Sequence, residues 1–377
     1  MAAEKKLSKI SGIFHGGVTS SIVEALNSAG IVDLQLTDAR TLMLREKKGP
    51  FGIGFETVIV EEHADFLSFL VPSKQEKTAM NLIVDKSKMD TSGRYTIFSE
   101  DVRLIKNHDL CQENFIDSTE TGKTYTLQTK LMGICCIVYR GEGNHVARVA
   151  LDTGTCVPGV TFGIGTGLRD KLGLLRITIP AAKEVINLIA SSDDAEAVMD
   201  MMINAGNLDQ PGKGFIFLYP VGKGIINRKV TRELPKHAAS MEQIIAAMDE
   251  IEGGTRWRLR SMSGKVSESK QKRAYLENLT NLIVTCNEGR GNDLVKAAMS
   301  VGAAGATIIK LKHISPSDSE QSKISPAREE SNLVVGENLV PDIVDAIEKA
   351  GGFDDKTHGR ILAHPIPKAC TYLGGKK

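Results

Sequence analysis

Two glycine-rich turns in the chain have the spacing of an anion-binding site. The motif G-x-G-N occurs at 141–144 and at 289–292, each time after an apolar run and before a segment with helical spacing. Unpaired N–H groups at the start of a helix can bind an anion. The alternative is a tight turn in which Asn144 or Asn292 caps the helix. Because the dinucleotide fingerprint G-x-G-x-x-G is incomplete here, the capping interpretation is favoured.

Other reactive residue types lack the spacing that catalysis or metal binding needs. The chain has no G-x-S-x-G motif, no Walker A motif, no C-x-x-C pair among six cysteines and no H-E-x-x-H among eight histidines. The sequence therefore predicts no metal site and no enzyme. A metal site or a catalytic acid–base pair assembled from distant segments stays an open alternative. The cysteines are expected to be free thiols, which places the protein in the cytoplasm.

The composition is that of a globular protein with several domains. The 377 residues carry a formal net charge of +1, with 41% hydrophobic and 25% charged residues. This excludes a disordered chain and makes nucleic acid an unlikely partner. No apolar run approaches the ~18 residues of a membrane span, and the first residues show no secretory signal.

The chain repeats itself. Three pairs of landmarks are separated by 145 to 148 residues, namely Gly143 and Gly291, Thr161 and Thr307, and Pro220 and Pro365. A fainter copy with an apolar run, a glycine pair and a helical pattern occurs at 9–30. A repeat of this length is a structural unit, so three units are predicted.

Each unit has a pattern that predicts its secondary structure. In the third copy, Leu282–Cys286 and 361–364 read as strands, and 339–347 has helical spacing that ends at Gly351. The predicted order is β-α-β-β-α-β, a ferredoxin-like unit of the α+β class. Since helices cover one face of such a sheet, three units are expected to cover the other faces mutually around a pseudo-threefold axis.

The repeat pattern divides the chain into five segments. They are repeat 1 at 1–106, which is the most diverged, a linker at 107–128, repeat 2 at 129–230, a linker at 231–275, and repeat 3 at 276–377.

These motifs resemble the P-II signalling family of nitrogen regulation, in particular its divergent P-II-like members. The resemblance is carried by G-x-T after the first helix of copies two and three, by G-x-G before an apolar strand and Pro-Val at 212–221, and by a long loop between the second and third strands. It implies a trimer written as one chain. It also implies that ATP, ADP or AMP binds in clefts between copies, and that the loop contacts a regulated protein.

The resemblance assigns nine residues to nucleotide binding: Gly159, Thr161, Gly212, Gly214, Arg228, Gly305, Thr307, Gly359 and Arg360. In the family, G-x-T and G-x-G face each other across a protomer boundary, so pairings between copies are expected. Glycines allow a backbone to approach phosphates closely, and a threonine hydroxyl can bond a base or sugar.

The copies depart from the family pattern in different ways. Phe215 stands where the family has Lys, Thr371 stands where it has Arg, and Asp33 and Gln35 replace the G-x-T residues of copy one. Each lost cation removes a charge-assisted bond of about 1.5–3 kcal/mol. The three clefts are therefore expected to be unequal, and a smaller or weaker-binding anion is an alternative to a triphosphate.

Three further segments are candidates for partner contacts. The serine- and proline-rich loop His313–Ser331 lacks an apolar period and is expected to be mobile, and it stands where the family's partner loop stands. Residues 241–251 have the spacing of a helix after a capping box, and 256–273 is a basic stretch. A solvated surface is the favoured interpretation of the basic stretch, and binding to an acidic partner, RNA or a membrane surface is the alternative.

The sequence thus predicts a monomeric, P-II-like regulatory protein that senses a small-molecule effector and is not an enzyme. A scaffold that has lost ligand binding is the first alternative. A nucleotide-processing enzyme is the second.

Overall fold

The computed structural model describes residues 5–48, 55–86, 95–116, 124–171, 175–178, 181–228, 248, 251 and 273–373. The predicted helix at 241–251 lies outside these ranges except at 248 and 251. The basic stretch at 256–273 lies outside them except at Arg273. The described part is a mixed α/β structure with one large antiparallel sheet and six α-helices. No helix among the described residues is long and apolar enough to cross a membrane.

Three consecutive sets of elements share one order, and we call them unit 1 (5–107), unit 2 (131–225) and unit 3 (279–371). Unit 1 contains β1 (Lys5–His15), α1 (Thr19–Ser28), β2 (Leu34–Lys48), β3 (Phe55–Pro72), α2 (Glu76–Lys86) and β4 (Tyr95–Asn107). Unit 2 contains β5 (Leu131–Tyr139), α3 (Gly143–Asp152), β6 (Gly159–Lys171), β7 (Leu175–Thr178), β8 (Ala181–Ser191), α4 (Ala195–Gly206), β9 (Gly214–Val221) and β10 (Gly224–Ile225). Unit 3 contains β11 (Leu279–Asn287), α5 (Gly291–Ser300), β12 (Gly305–Ile314), β13 (Ala327–Gly336), α6 (Val340–Lys349), β14 (Arg360–Ile366) and β15 (Lys368–Thr371).

Strand pairing inside the units follows one scheme. The first strand of each unit lies between two others, β1 between β3 and β4, β5 between β8 and β9, and β11 between β13 and β14. The second strand, β2, β6 or β12, forms the outer position next to β3, β8 or β13. All of these pairs are antiparallel. The first and second strands of a unit are therefore parallel to each other and separated by β3, β8 or β13, so the connection that carries the first helix crosses over the sheet.

The helices cover one side of each set of strands and bury apolar residues beneath them. Ile22 and Leu26 of α1, Met199 and Met202 of α4, and Ile343 of α6 are fully buried. The two helices of each unit also contact each other. Separate apolar clusters lie in unit 1 and unit 3, and the largest cluster lies in unit 2 and extends into both neighbours.

The second strands of the three units join the units together. β2, β6 and β12 each pair with both of the others: the start of β6 with β2, the start of β12 with β6, and the start of β2 with the end of β12. The connection is therefore cyclic. Three outer pairings reinforce it, β14 with β4, β15 with β9 and β10 with β4.

The loop predicted at 313–331 contains regular structure. β12 extends to Ile314 and β13 begins at Ala327, and a 3-10 turn at Glu320–Lys323 lies between them. Ile324 is 3% exposed, which anchors the loop to the body of unit 3. The sequence missed this because serine and proline favour local turns whose side-chain bonds leave no periodic pattern.

Candidate functional site: the cleft between units 2 and 3

A cleft of about 580 Å³ opens at the boundary between units 2 and 3. β5, β6, β8 and β9 of unit 2 form one side, and β12 and β13 of unit 3 form the other. Its volume is in the range of about 300–1,000 Å³ that small-molecule sites occupy. The cleft is therefore large enough to enclose much of a nucleotide-sized ligand.

Glycine forms an unusual share of the lining. The seven glycines are Gly165, Gly167, Gly212, Gly214, Gly302, Gly305 and Gly336. Gly212 has a φ of +72°, and a Cβ there would meet nothing within 4 Å, so the backbone conformation alone requires glycine. At Gly305 a Cβ would come within 2.3 Å of the Thr166 carbonyl, because β12 approaches β6 closely. These glycines leave the backbone of both walls accessible from the cleft.

The side chains of the lining combine one cation with apolar surface. Lys183 is the one charged side chain among the described lining residues, and no acidic side chain lines the described part of the cleft. Its Nζ lies 3.5 Å from the centre of the Tyr139 ring, directly across the β5–β8 pair. Phe215 and Tyr372 add aromatic surface. A cleft of this kind favours a ligand with a flat apolar part and a negative charge.

The last strand of the chain forms one edge of the cleft. β15 pairs with β9 of unit 2, and the Thr371 hydroxyl donates to the Gly214 carbonyl at 2.8 Å. This bond places a hydroxyl where the family pattern has an arginine, so Thr371 adds no positive charge to the cleft.

Four of the nine predicted residues meet in this cleft. Gly212 and Gly214 come from unit 2, and Gly305 and Thr307 come from unit 3, so G-x-G and G-x-T lie across a unit boundary from each other. Sequence reasoning missed Lys183 and Tyr139. The alternation of β5 and β8 would have indicated the face on which they lie, but not that this face borders an opening.

The other five predicted residues lie elsewhere. Gly159 pairs with Thr41 of unit 1, and a Cβ at Gly159 would come within 2.3 Å of the Ile13 side chain. Thr161 is buried at the centre of the molecule, where the three units meet. Arg228 is exposed, just before residues that the structure does not describe. Gly359 and Arg360 lie at the boundary between units 3 and 1.

A buried ion pair fills that boundary. Arg360 donates to Asp33 at 2.7 Å, His313 Nε2 lies 3.3 Å from the same carboxylate, and the Gln35 amide donates to it at 2.7 Å. Arg360 and Asp33 are 4% and 3% exposed. Burial by itself would raise the pKa of Asp33, but the Arg360 charge and the His313 contact hold it well below its usual range. Arg360, which the sequence analysis assigned to ligand binding, is therefore paired with a carboxylate of the chain itself.

The two G-x-G-N turns also hold carboxylates of the chain. Gly143 N–H donates to Glu184 at 2.7 Å, and Gly291 N–H donates to Glu329 at 2.9 Å. The helices begin at these glycines, and neither capping position has a side-chain bond, so the predicted asparagine caps are wrong. In units 2 and 3, a glutamate from the strand that precedes the second helix, β8 or β13, takes the place of both an external anion and an asparagine cap.

Among the residues that the structure describes, two groups of His and Asp side chains lie close enough to share a metal ion, His108 with Asp355 and His358, and Asp38 with His63 and Asp65. In the first group, His108 Nδ1 accepts from the Leu110 N–H at 3.2 Å, so its proton is on Nε2, which faces Asp355 at 3.0 Å. That arrangement makes a hydrogen bond and leaves no free nitrogen lone pair towards Asp355.

The solved structures that match include a P-II protein, and the match is weak. The crystal structure of Arabidopsis thaliana PII bound to citrate matches with 22% sequence identity, covering 28% of this chain and 97% of that chain, at a TM-score of 0.22. No protein-family model and no curated protein matches the chain.

Proposed function

We propose that the chain is a P-II-like regulatory protein that binds an adenine nucleotide or a related anion in the cleft between units 2 and 3. The observation that carries the proposal is the meeting of Gly212 and Gly214 with Gly305 and Thr307 across an open cleft of about 580 Å³. The motifs come from different units and lie on opposite walls, as expected for a ligand held between units.

The lining chemistry suits the two ends of a nucleotide. Tyr139, Phe215 and Tyr372 offer flat surfaces for a base, and glycine backbone with Lys183 offers positive potential for phosphate. Because Lys183 is the one described cation there, we expect a monophosphate or diphosphate to be bound nearly as tightly as a triphosphate.

We further propose that the three units are ferredoxin-like, P-II-like repeats arranged as an intramolecular pseudo-trimer. The common element order and the cyclic pairing of β2, β6 and β12 support this. An assembly that has already paired these strands within one chain is expected to be a monomer in the cytoplasm. Light scattering that gave three times the mass of one chain would contradict the fused arrangement.

The experiment is titration calorimetry with ATP, ADP and AMP on the full chain and on two variants. Ala304 is exposed and lines the cleft, so Ala304→Trp fills it without disturbing the core. Ser300→Trp, on the exposed surface of α5 nearby, is the matched control. We expect binding to be lost in Ala304→Trp and kept in Ser300→Trp, with both melting temperatures unchanged.

Two results would reject the proposal. No heat and no thermal shift with any of the three nucleotides at millimolar concentration would exclude nucleotide binding. Full binding by Ala304→Trp would place the ligand outside this cleft.

A scaffold without ligand binding is the second candidate, and the filled boundary between units 3 and 1 favours it. There, Asp33 takes the place that an external anion would need. In that case the loop 313–331 would contact the regulated protein whether or not nucleotide is present. Partner binding that is unchanged by nucleotide and by Ala304→Trp would support the scaffold over the sensor.

A further inference from the structure

A second cavity lies at the centre of the molecule, where the three units meet. It adjoins the cleft, and Ile137, Phe217, Thr307 and Asn332 line both. Its volume is about 70 Å³, and strands of all three units line it. Thr161 of β6 and Thr307 of β12 occupy corresponding places in units 2 and 3, and Gln35 of β2 occupies that place in unit 1. A water molecule needs about 10–15 Å³ measured in this way, so the cavity has room for several.

Three buried oxygen atoms at this cavity have no hydrogen-bond partner. They are Oε1 of Gln35, Oγ1 of Thr161 and Oδ1 of Asn281, on residues that are 5%, 3% and 2% exposed. The amide nitrogens beside two of them are bonded: that of Gln35 donates to Asp33 at 2.7 Å, and that of Asn281 donates to Asn332 at 2.9 Å. These bonds fix the amide orientations, so the unpaired oxygens cannot be exchanged for nitrogens by a flip.

His364 presents a polar atom of the opposite kind to this group. The amide nitrogen of Asn281 lies 3.0 Å from His364 Nε2, so Nε2 accepts and the proton is on Nδ1. Nδ1 lies near the main chain of Pro365 but makes no hydrogen bond of acceptable geometry. Burial and the nearby Lys9 lower the pKa of His364 to about 3, which keeps the ring neutral.

The charged side chains at the cavity are one lysine and two glutamates, and burial raises the pKa of one of the two, Glu100. Lys9 lies 4.0 Å from both Glu100 and Glu330, and all three line the cavity. The wider group includes Arg360, which is paired with Asp33. A cation in the cavity could contact the three unpaired oxygens, but it could not accept a hydrogen bond from His364 Nδ1–H. Water both donates and accepts, so it satisfies both kinds of atom.

We propose that the central cavity is a binding site for a cluster of ordered waters, which donate to Gln35, Thr161 and Asn281 and accept from His364. Leaving such groups dry would be unfavourable, because each buried polar atom without a partner loses its hydration without compensation. The three units would then meet around bound water at their common axis, and the proposal holds whether or not the cleft binds nucleotide.

A pair of isosteric variants tests the proposal. Thr161→Val removes the unpaired hydroxyl of a residue that lines the cavity. Thr41→Val removes an unpaired hydroxyl from an equally buried residue that does not line it. If the cavity is hydrated, Thr161→Val deprives water of a partner and lowers the melting temperature. Thr41→Val removes a dry unpaired group, so it raises the melting temperature or leaves it unchanged.

A crystal structure of the full chain supplies the second measurement. We expect water density in the cavity within about 3 Å of Thr161 Oγ1. A cavity without density, or one that binds xenon under pressure, would show that it is dry and would overturn the proposal. An anomalous peak after a soak in rubidium chloride would assign the site to a cation and also overturn it, as would equal stabilisation by the two valine variants.

Discussion

The boundaries on the two sides of unit 3 differ in whether side chains of the chain fill them. Towards unit 2, Gly305 lets β12 approach β6 closely, and the boundary beside it is an open cleft with Lys183 in its lining. Towards unit 1, Asp33 stands where Gly305 stands in unit 3, and its carboxylate reaches Arg360. One side chain at corresponding positions therefore separates a boundary that can receive a ligand from one that the chain fills itself.

The difference also concerns stability. The filled boundary, between units 3 and 1, contains a buried ion pair and is closed to a ligand. The open cleft, between units 2 and 3, keeps unfilled volume and exposed apolar surface. Since a buried charge is strongly unfavourable only when it loses its partner, the filled boundary should be the more sensitive of the two to substitution. The predictions below test this contrast.

The largest effect is expected when the ion pair is broken. Asp33→Ala leaves Arg360 buried without a counter-charge, and we expect the free energy of unfolding to fall by about 3–5 kcal/mol. Urea unfolding measures it. Asp38→Ala, an exposed aspartate on the same strand, is the control and should change stability by less than about 0.5 kcal/mol.

A double variant separates the charge from the packing. Asp33→Leu combined with Arg360→Met removes both charges, and we expect it to lose much less stability than either single variant. Losses that simply add would show that the two side chains do not depend on each other, against the geometry of the pair.

The next effect compares glycines at the two boundaries. A Cβ at Gly359 would come within 1.9 Å of the Gly352 carbonyl, so Gly359→Ala forces the backbone apart, and we expect a loss of about 3 kcal/mol. Gly212 has open space around it, so Gly212→Ala causes no clash. Its cost is that of holding alanine in a left-handed backbone conformation, and we expect a loss of about 1 kcal/mol. Equal losses in urea unfolding would contradict the assignment of one glycine to packing and the other to conformation.

Acid should weaken the filled boundary before it affects the open one. The pKa of Asp33 is lower in the folded chain than its ordinary value of 3.8, so the ion pair contributes fully above that value. As the pH falls below about 3.8, the unfolded state takes up the proton first, and stability drops by up to about 1.4 kcal/mol per pH unit from this group. Unfolding curves between pH 5 and about 2 measure the slope, and Asp33→Asn should reduce it.

The smallest effect on stability, but a clear one on binding, is expected at the open cleft. Lys183→Gln removes the one charged side chain among the described lining residues of the cleft. We expect nucleotide affinity to fall about tenfold, since a charge-assisted hydrogen bond contributes about 1.5 kcal/mol or more. Lys296→Gln, on exposed α5, is the control. Unchanged affinity in Lys183→Gln would mean that the ligand is not held through its negative charge.

The order of elements could be read from the sequence because it depends on local patterns. Ala195, Val198, Met199 and Met202 have helical spacing, and all four are buried on α4. Cys135 and Cys136 align with Ile283 and Val284 of the third copy, and all four side chains are buried. Periodicity reports which face of an element is covered, and this information lies within a dozen residues.

The state of each boundary could not be read in the same way. Asp33 and Arg360 are separated by more than 300 residues, and nothing in either local sequence indicates that the two side chains meet. Lys183 was missed for a related reason, since its neighbours describe an ordinary strand. Likewise, Glu184 and Glu329 replace the predicted asparagine caps from another strand. Contacts between distant segments decide these sites, and spacing within one segment does not report them.

The cyclic joining of β2, β6 and β12 within a single polypeptide has a consequence for how this architecture can change. In a ring of identical subunits, every substitution is copied into each interface at once, so a change that closes one pocket closes all of them. Here a single codon alters one interface and leaves the other two as they were. One junction is thus free to become a permanent fastening while its neighbour keeps an opening, which is the asymmetry that Asp33 and Gly305 display.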